Sequence, residues 1–190
     1  MTFLPRTTDL LGELIAQPTV SASSNLTLMS LLADRLDSAG AQVHLWTDDT
    51  GSKANLFANI GPDSDGGIVL SGHADVVPVT DQDWSSDPFQ MVERDGKLFG
   101  RGTCDMKGFI AAATAMAPHY AALNPTRPIH FAFTYDEEVG CFGAQALAKS
   151  LKEREIPPPL CIVGETTMTR ILHGPKGTST FSPTSPRLHG

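Results

Sequence analysis

Short segments with liganding chemistry are spread along this chain: His73-Ala74-Asp75, Asp105 just after Gly100-Arg101-Gly102, Asp136-Glu137-Glu138, and Gly164-Glu165. Each follows an apolar run or a glycine-rich loop, and strand ends are where α/β proteins build ligand sites. Acids and an imidazole gathered in one crevice, with no basic partner counted in those segments, would repel one another. A divalent cation removes that penalty. One neutral imidazole with oxygen donors suits zinc or a similar transition ion.

Taken singly, each residue has an ordinary explanation. His73 could be a satisfied core histidine beside a turn aspartate, Asp105 a helix N-cap, Glu137-Glu138 an acidic loop, and Glu165 a helix-start acid. Their equivalent positions favour a shared site. Residues i and i+2 of an extended segment face the same way, so His73 can bind a metal while Asp75 accepts its other ring N–H. Adjacent residues of an extended segment face opposite ways, so Glu137 and Glu138 should divide their tasks. One would ligate and the other exchange protons with a bound water. Gly164 would let the backbone pack closely enough for Glu165 to reach the ion.

The elements that must deliver these residues can be read from periodicity. A short helix is expected from about Thr8 to Ala16. A second follows N-cap candidates Ser23-Ser24-Asn25, with Leu28, Leu31, Leu32 and Leu36 as its stripe and Gly40 at its end. Strands around Val43–Leu45 and Leu56–Ala58 are joined by the turn at Asp48-Asp49-Thr50-Gly51. Then strand Ile68–Leu70 delivers His73, a helix runs from Met106 to about Tyr120, and strand Ile129–Tyr135 delivers Asp136-Glu137-Glu138. A helix Gly143–Lys152, ended by Pro157-Pro158-Pro159, precedes strand Leu160–Val163. This alternation predicts an α/β fold: three layers, a mostly parallel or mixed sheet, and helices on both faces.

Composition narrows the function. The 190 residues are 41% hydrophobic and 18% charged, as in ordinary globular domains. A net charge of −7 argues against nucleic acid or anionic membranes as partners. Neither a membrane span nor a signal peptide is visible, and Cys104, Cys141 and Cys161 form no pair motif, so a cytoplasmic protein with free thiols is expected. No G-x-S-x-G elbow, Walker loop or G-x-G-x-x-G loop is present.

The motifs Ser71-Gly72-His73-Ala74-Asp75-Val76-Val77-Pro78, Gly100-Arg101-Gly102-Thr103-Cys104-Asp105-Met106-Lys107-Gly108, Asp136-Glu137-Glu138-Val139-Gly140 and Val163-Gly164-Glu165 together resemble the M20 metallopeptidase and deacylase family. Gly51-Ser52-Lys53-Ala54-Asn55-Leu56-Phe57 and Gln82-Asp83-Trp84-Ser85-Ser86-Asp87-Pro88-Phe89 support it, and similarity runs from near Leu10 to near Thr180. The resemblance implies a zinc-peptidase-like catalytic domain, incomplete here, binding two Zn2+ (or Co2+) ions bridged by Asp105. His73 and Glu165 would complete the first ion's site and Glu138 would serve the second. Glu137 would be the general base and acid, with Asp75 orienting His73. The implied substrate is a small N-acylated amino acid, cleaved by metal-assisted amide hydrolysis. Rival activities within the family are those of succinyl-diaminopimelate desuccinylase or a carboxypeptidase. A non-catalytic metal-binding fragment is the rival from another class.

Family members of this type are usually homodimeric through an inserted lid domain. Their returning segment supplies the second metal's His and grips the substrate carboxylate. Residues 1–177 read as the first part of the catalytic domain and 178–190 as an irregular tail where the lid would begin. His173 and Lys176-Gly177 resemble the family's entry to the lid with Gly174-Pro175 inserted, and Thr166 stands where proline is usual. A truncated or frameshifted product is therefore expected, holding one ion more firmly than two and hydrolysing its substrate poorly.

Overall fold

The computed structural model describes residues 3–153 and 160–165. In chain order the elements are α1 (Leu4–Ile15), α2 (Leu26–Ser38), β1 (Gln42–Thr47), β2 (Ala54–Ile60), β3 (Ile68–His73), β4 (Val92–Arg94), β5 (Lys97–Phe99), α3 (Lys107–Ala122), β6 (Ile129–Thr134), α4 (Phe142–Glu153) and β7 (Cys161–Val163). The main sheet has the order β1-β2-β6-β3-β7. Strands β3, β6 and β7 are mutually parallel, while β2 runs antiparallel to both β1 and β6. It is a mixed sheet, as the alternation of elements predicts.

Side-chain alternation along the strands sorts the two faces. Leu56, Ala58, Ile60, Leu70, Phe131 and Phe133 enter the large core with Leu14, Ile15, Leu28, Leu32, Leu36 and Ile110 of α1, α2 and α3. The intervening Phe57, Val69 and Ala132 pack on the other side with Leu147 of α4. Helices thus cover both faces.

Local chemistry explains where expected boundaries shift. The first helix starts at Leu4 rather than Thr8, because Pro5 sits where the fixed φ of proline suits the first turn. Asn25 stands at the N-cap of α2 but makes no capping bond. Its buried amide instead pairs with both backbone groups of Ala54, tying α2 to β2. Asp105 is not an N-cap either; Met106 occupies that position of α3, and the Asp105–Met106 peptide is cis. The β4–β5 hairpin was not anticipated, although Asp95 and Gly96 at positive φ form the turn that a two-residue loop requires.

Because β3, β6 and β7 are parallel, their carboxyl ends lie on one edge. His73 pairs with Thr134, and Ser71 with Val163. The expected helix stop at Pro157-Pro158-Pro159, Thr166, His173, Lys176-Gly177 and the tail 178–190 lie outside the described residues.

Candidate metal centre

His73 is the last residue of β3 and is buried. Its Nε2 lies 3.0 Å from Asp105 Oδ1, 3.5 Å from Glu165 Oε1 and 3.9 Å from Glu137 Oε2. Potential ligand atoms of His73, Glu137 and Glu165 lie within 4.8 Å of one another, as do those of His73, Asp105 and Glu138. The structure therefore brings together all the proposed ligands and the proposed base. The imidazole is the member common to both groups.

The other ring nitrogen, Nδ1, is 2.9 Å from the backbone carbonyl of Asp75 and 3.4 Å from its Oδ1. That carbonyl is the nearer partner of the ring, with the carboxylate that the i, i+2 spacing suggested standing beside it. The Asp75 carboxylate has other work. It accepts from Ser21 Oγ at 2.6 Å, from the Glu137 amide at 3.0 Å and from the Glu138 amide at 3.3 Å.

Those amides explain a second correction. Glu137 and Glu138 lie in a turn, not an extended segment. Asp136 enters it at φ 54°, the left-handed region that Asp tolerates better than most residues. The two side chains still divide, Glu137 grouping with Glu165 and Glu138 with Asp105, with His73 common to both.

On β7, the Gly164 amide donates to Ser71 O, which carries the β3 pairing one step further and sets Glu165 level with His73. A Cβ on Gly164 would stand 2.0 Å from Phe109 Cγ, so only glycine permits this approach.

Electrostatics point the same way. Burial opposes charge on His73, but hydrogen bonds to Asp105 and Asp75, with the charges of Asp75 and Glu137, outweigh it and push the imidazole up to about 10. Burial, and after it the Asp105 charge, push Glu138 up to about 7. Burial also tends to raise Asp75, yet its bonds to His73, Ser21 and the Glu137 amide hold it below the usual carboxylate range. Without a cation the cluster retains protons to relieve its charge. One imidazole nitrogen facing several carboxylate oxygens fits a divalent metal ion as a replacement for those protons.

A cavity of about 460 Å³ opens beside Asp105 and Glu138, lined also by Val77, Pro78, Thr80, Gln82 and Arg101. The Arg101 guanidinium donates to Gln82 Oε1 and stands 5.1 Å over the Trp84 ring. It places a positive charge near Glu138 and Asp105. Arg101 thus corrects the expectation that these segments hold no basic group. A second concavity, about 390 Å³ between α1, α2 and α3, contains none of the liganding residues. Sequence reasoning also missed Ser21, for which no motif signals a role, and Lys53, whose Nζ reaches Asp136.

Comparison with known proteins agrees with this geometry. The model of Peptidase family M20/M25/M40 matches residues 69–176. The acetylornithine deacetylase of Proteus mirabilis is 36% identical over 181 residues, covering 92% of this chain and 46% of that protein. The enzyme of the same name from Photorhabdus laumondii is 38% identical over the same shares. This chain spans about half the length of the curated relatives it matches. Among solved structures, human carnosine dipeptidase 1 is similar at 28% identity with a TM-score of 0.68, over 79% of this chain and 36% of that one. An M20 family metallo-carboxypeptidase from Sulfolobus solfataricus has the same fold, with a TM-score of 0.73 at 18% identity over 83% of this chain and 37% of its own.

Proposed function

The chain belongs to peptidase family M20/M25/M40, and from that premise we propose metal-dependent amide hydrolysis: deacetylation of N2-acetyl-L-ornithine to ornithine and acetate, a step of arginine biosynthesis in the cytoplasm. The observation that carries this reading is the His73 imidazole, with Asp105, Glu165 and Glu137 all within 4 Å of its Nε2. Relatives named acetylornithine deacetylase support this choice of substrate.

His73, Asp105 and Glu165 would hold one Zn2+, with Co2+ as an alternative, and Asp105 and Glu138 a second. Bound there, the ions would supply Lewis acidity and a lowered water pKa. The chain's own residues do the rest. Asp75 uses its carbonyl to fix the His73 ring and its carboxylate to fix the turn bearing Glu137 and Glu138. Glu137 is the general base: it takes a proton from the attacking water as the C–O bond forms at the acetyl carbonyl. It then returns that proton to the amine as the C–N bond breaks. The cavity beside Asp105 and Glu138 receives the acylated amino acid.

Likeness to human carnosine dipeptidase 1 favours, as a second reading, cleavage of another amide, and desuccinylation of succinyl-diaminopimelate is the alternative that the same ligand set would serve. A metal-binding, non-catalytic role is the reading from another class. Metal content of the purified 190-residue chain, measured with turnover of acetylornithine, a succinylated diamino acid and a dipeptide, separates them. Preferred turnover of acetylornithine supports the proposal, and preference for another amide reassigns the substrate. Metal without turnover supports the non-catalytic role, and a chain that takes up no divalent ion defeats all of these readings.

A further inference from the structure

Lys53 sits just before β2, in a stretch quoted above but given no role there, yet its side chain is mostly buried. Its Nζ donates to the backbone carbonyl of Ser21 and to Asp136 Oδ1. The side chains of Lys53 and Asp136 are each only 14% exposed. Following the bonds onward closes a ring. Asp136 leads along the chain to the Glu137 and Glu138 amides, which donate to Asp75. Asp75 accepts from Ser21 Oγ, and the Ser21 carbonyl returns to Lys53.

We propose that Lys53 is a positioning residue, a clamp that fixes the turn carrying Glu137 and Glu138 against Asp75. The ring carries the antiparallel β2–β6 pairing one step beyond the strands and ties it to the segment after α1. Ser21 belongs to the segment after α1, Lys53 leads into β2, and the turn follows β6. Asp136 is the hinge of that turn, held in the left-handed region at φ 54°. A charged donor on its carboxylate fixes this conformation, and a mostly buried ion pair resists loosening because either partner alone would keep an uncompensated charge. The same ammonium pins Ser21, whose hydroxyl holds the far oxygen of Asp75. Lys53 therefore acts on Glu137 from both sides, through Asp136 along the chain and through Ser21 and Asp75.

The role given to Glu137 rests on the hydrolase reading, but the clamp itself can be read in the metal-free chain. Amide hydrogen exchange of the 190-residue chain, resolved by residue, tests it. In Lys53→Met the Glu137 and Glu138 amides should exchange about tenfold faster or more, while the Phe133 amide in the core of β6 keeps its rate. Asp136→Asn, which removes the same ion pair from its other end, should give the same local pattern and serves alone should Lys53→Met not fold. Lys53→Arg should restore protection toward the unsubstituted value. Unchanged rates at Glu137 and Glu138, or an equal rise at Phe133, would overturn the clamp. None of these outcomes depends on metal binding or hydrolysis, so a failure of the proposed function stays distinguishable.

Discussion

Asp75→Asn isolates the residue on which the site's geometry turns. The side chain is 3% exposed, so solvent cannot replace a lost partner. Its Oδ2 accepts from Ser21 Oγ and the Glu138 amide, and its Oδ1 from the Glu137 amide. Asparagine keeps the shape but offers one oxygen and one NH2. The Ser21 hydroxyl can rotate and become an acceptor; a backbone amide cannot. Whichever way the new amide turns, one of the two Glu N–H groups faces a donor. An orphaned buried N–H costs about 1–3 kcal/mol, and the surviving bonds lose their charge assistance, so the expected loss is about 2–3 kcal/mol.

The pH dependence fixes the sign. The folded pKa of Asp75 is depressed, so its stabilisation is present above the ordinary carboxylate range and is lost as pH falls through the depressed value. The gap between parent and variant should therefore be full at pH 7 and shrink below about pH 4. Urea unfolding of the metal-free chain, followed by Trp46 and Trp84 fluorescence, measures it. Affinity for a divalent metal should fall about 10- to 100-fold, because the carboxylate orients groups around the ion without binding it. A variant within about 0.5 kcal/mol of the parent at pH 7, or a gap that persists in acid, would refute the assignment of Asp75 as the organiser of this turn.

Metal binding should release protons. With His73 pushed up to about 10, the metal-free imidazole is stabilising when protonated, and that contribution is lost as pH rises through about 10. Metal affinity should then rise about tenfold per pH unit between about pH 7 and 9. Calorimetry in buffers of different ionisation heat checks this, and binding at pH 8 without proton release contradicts it. Gly164→Ala should cost about 1–3 kcal/mol and weaken metal binding, since the new methyl meets the Phe109 ring and displaces Glu165. Unfolding and metal titration of that variant test the point, and an unchanged Tm with unchanged affinity counts against it.

Much of this arrangement was legible because period and punctuation agree. The runs Ile68–Leu70 and Ile129–Tyr135 end at polar residues, and the structure makes both of them strands of one parallel set. What stayed hidden depended on tertiary partners. Asn25 has the signature of a cap but spends its amide on Ala54, a partner 29 residues away. The turn at Asp136–Gly140 breaks the extended geometry assumed for Glu137 and Glu138, and nothing local announces it except an aspartate able to take a positive φ. Lys53 and Arg101 lay within noticed motifs, but a lysine or arginine in sequence does not show which acid it will face. Ser21 carries no signal at all.

The acids of this edge can be sorted by where their charge goes. Asp75 is buried, receives three hydrogen bonds from Ser21, Glu137 and Glu138, and is held below the ordinary range. Its charge is already satisfied by the protein, so it organises the site rather than binding an ion. Asp136 has Lys53. Glu138 is the opposite case: half-buried beside Asp105, it is pushed up to about 7, and the nearby charge of His73 does not reverse that rise. Asp105 and Glu165 both press on the same imidazole nitrogen. A fold that neutralises two acids so fully has the means to neutralise the others. That it aims them instead at one shared point, with His73 between, is the arrangement expected when a cation completes the balance.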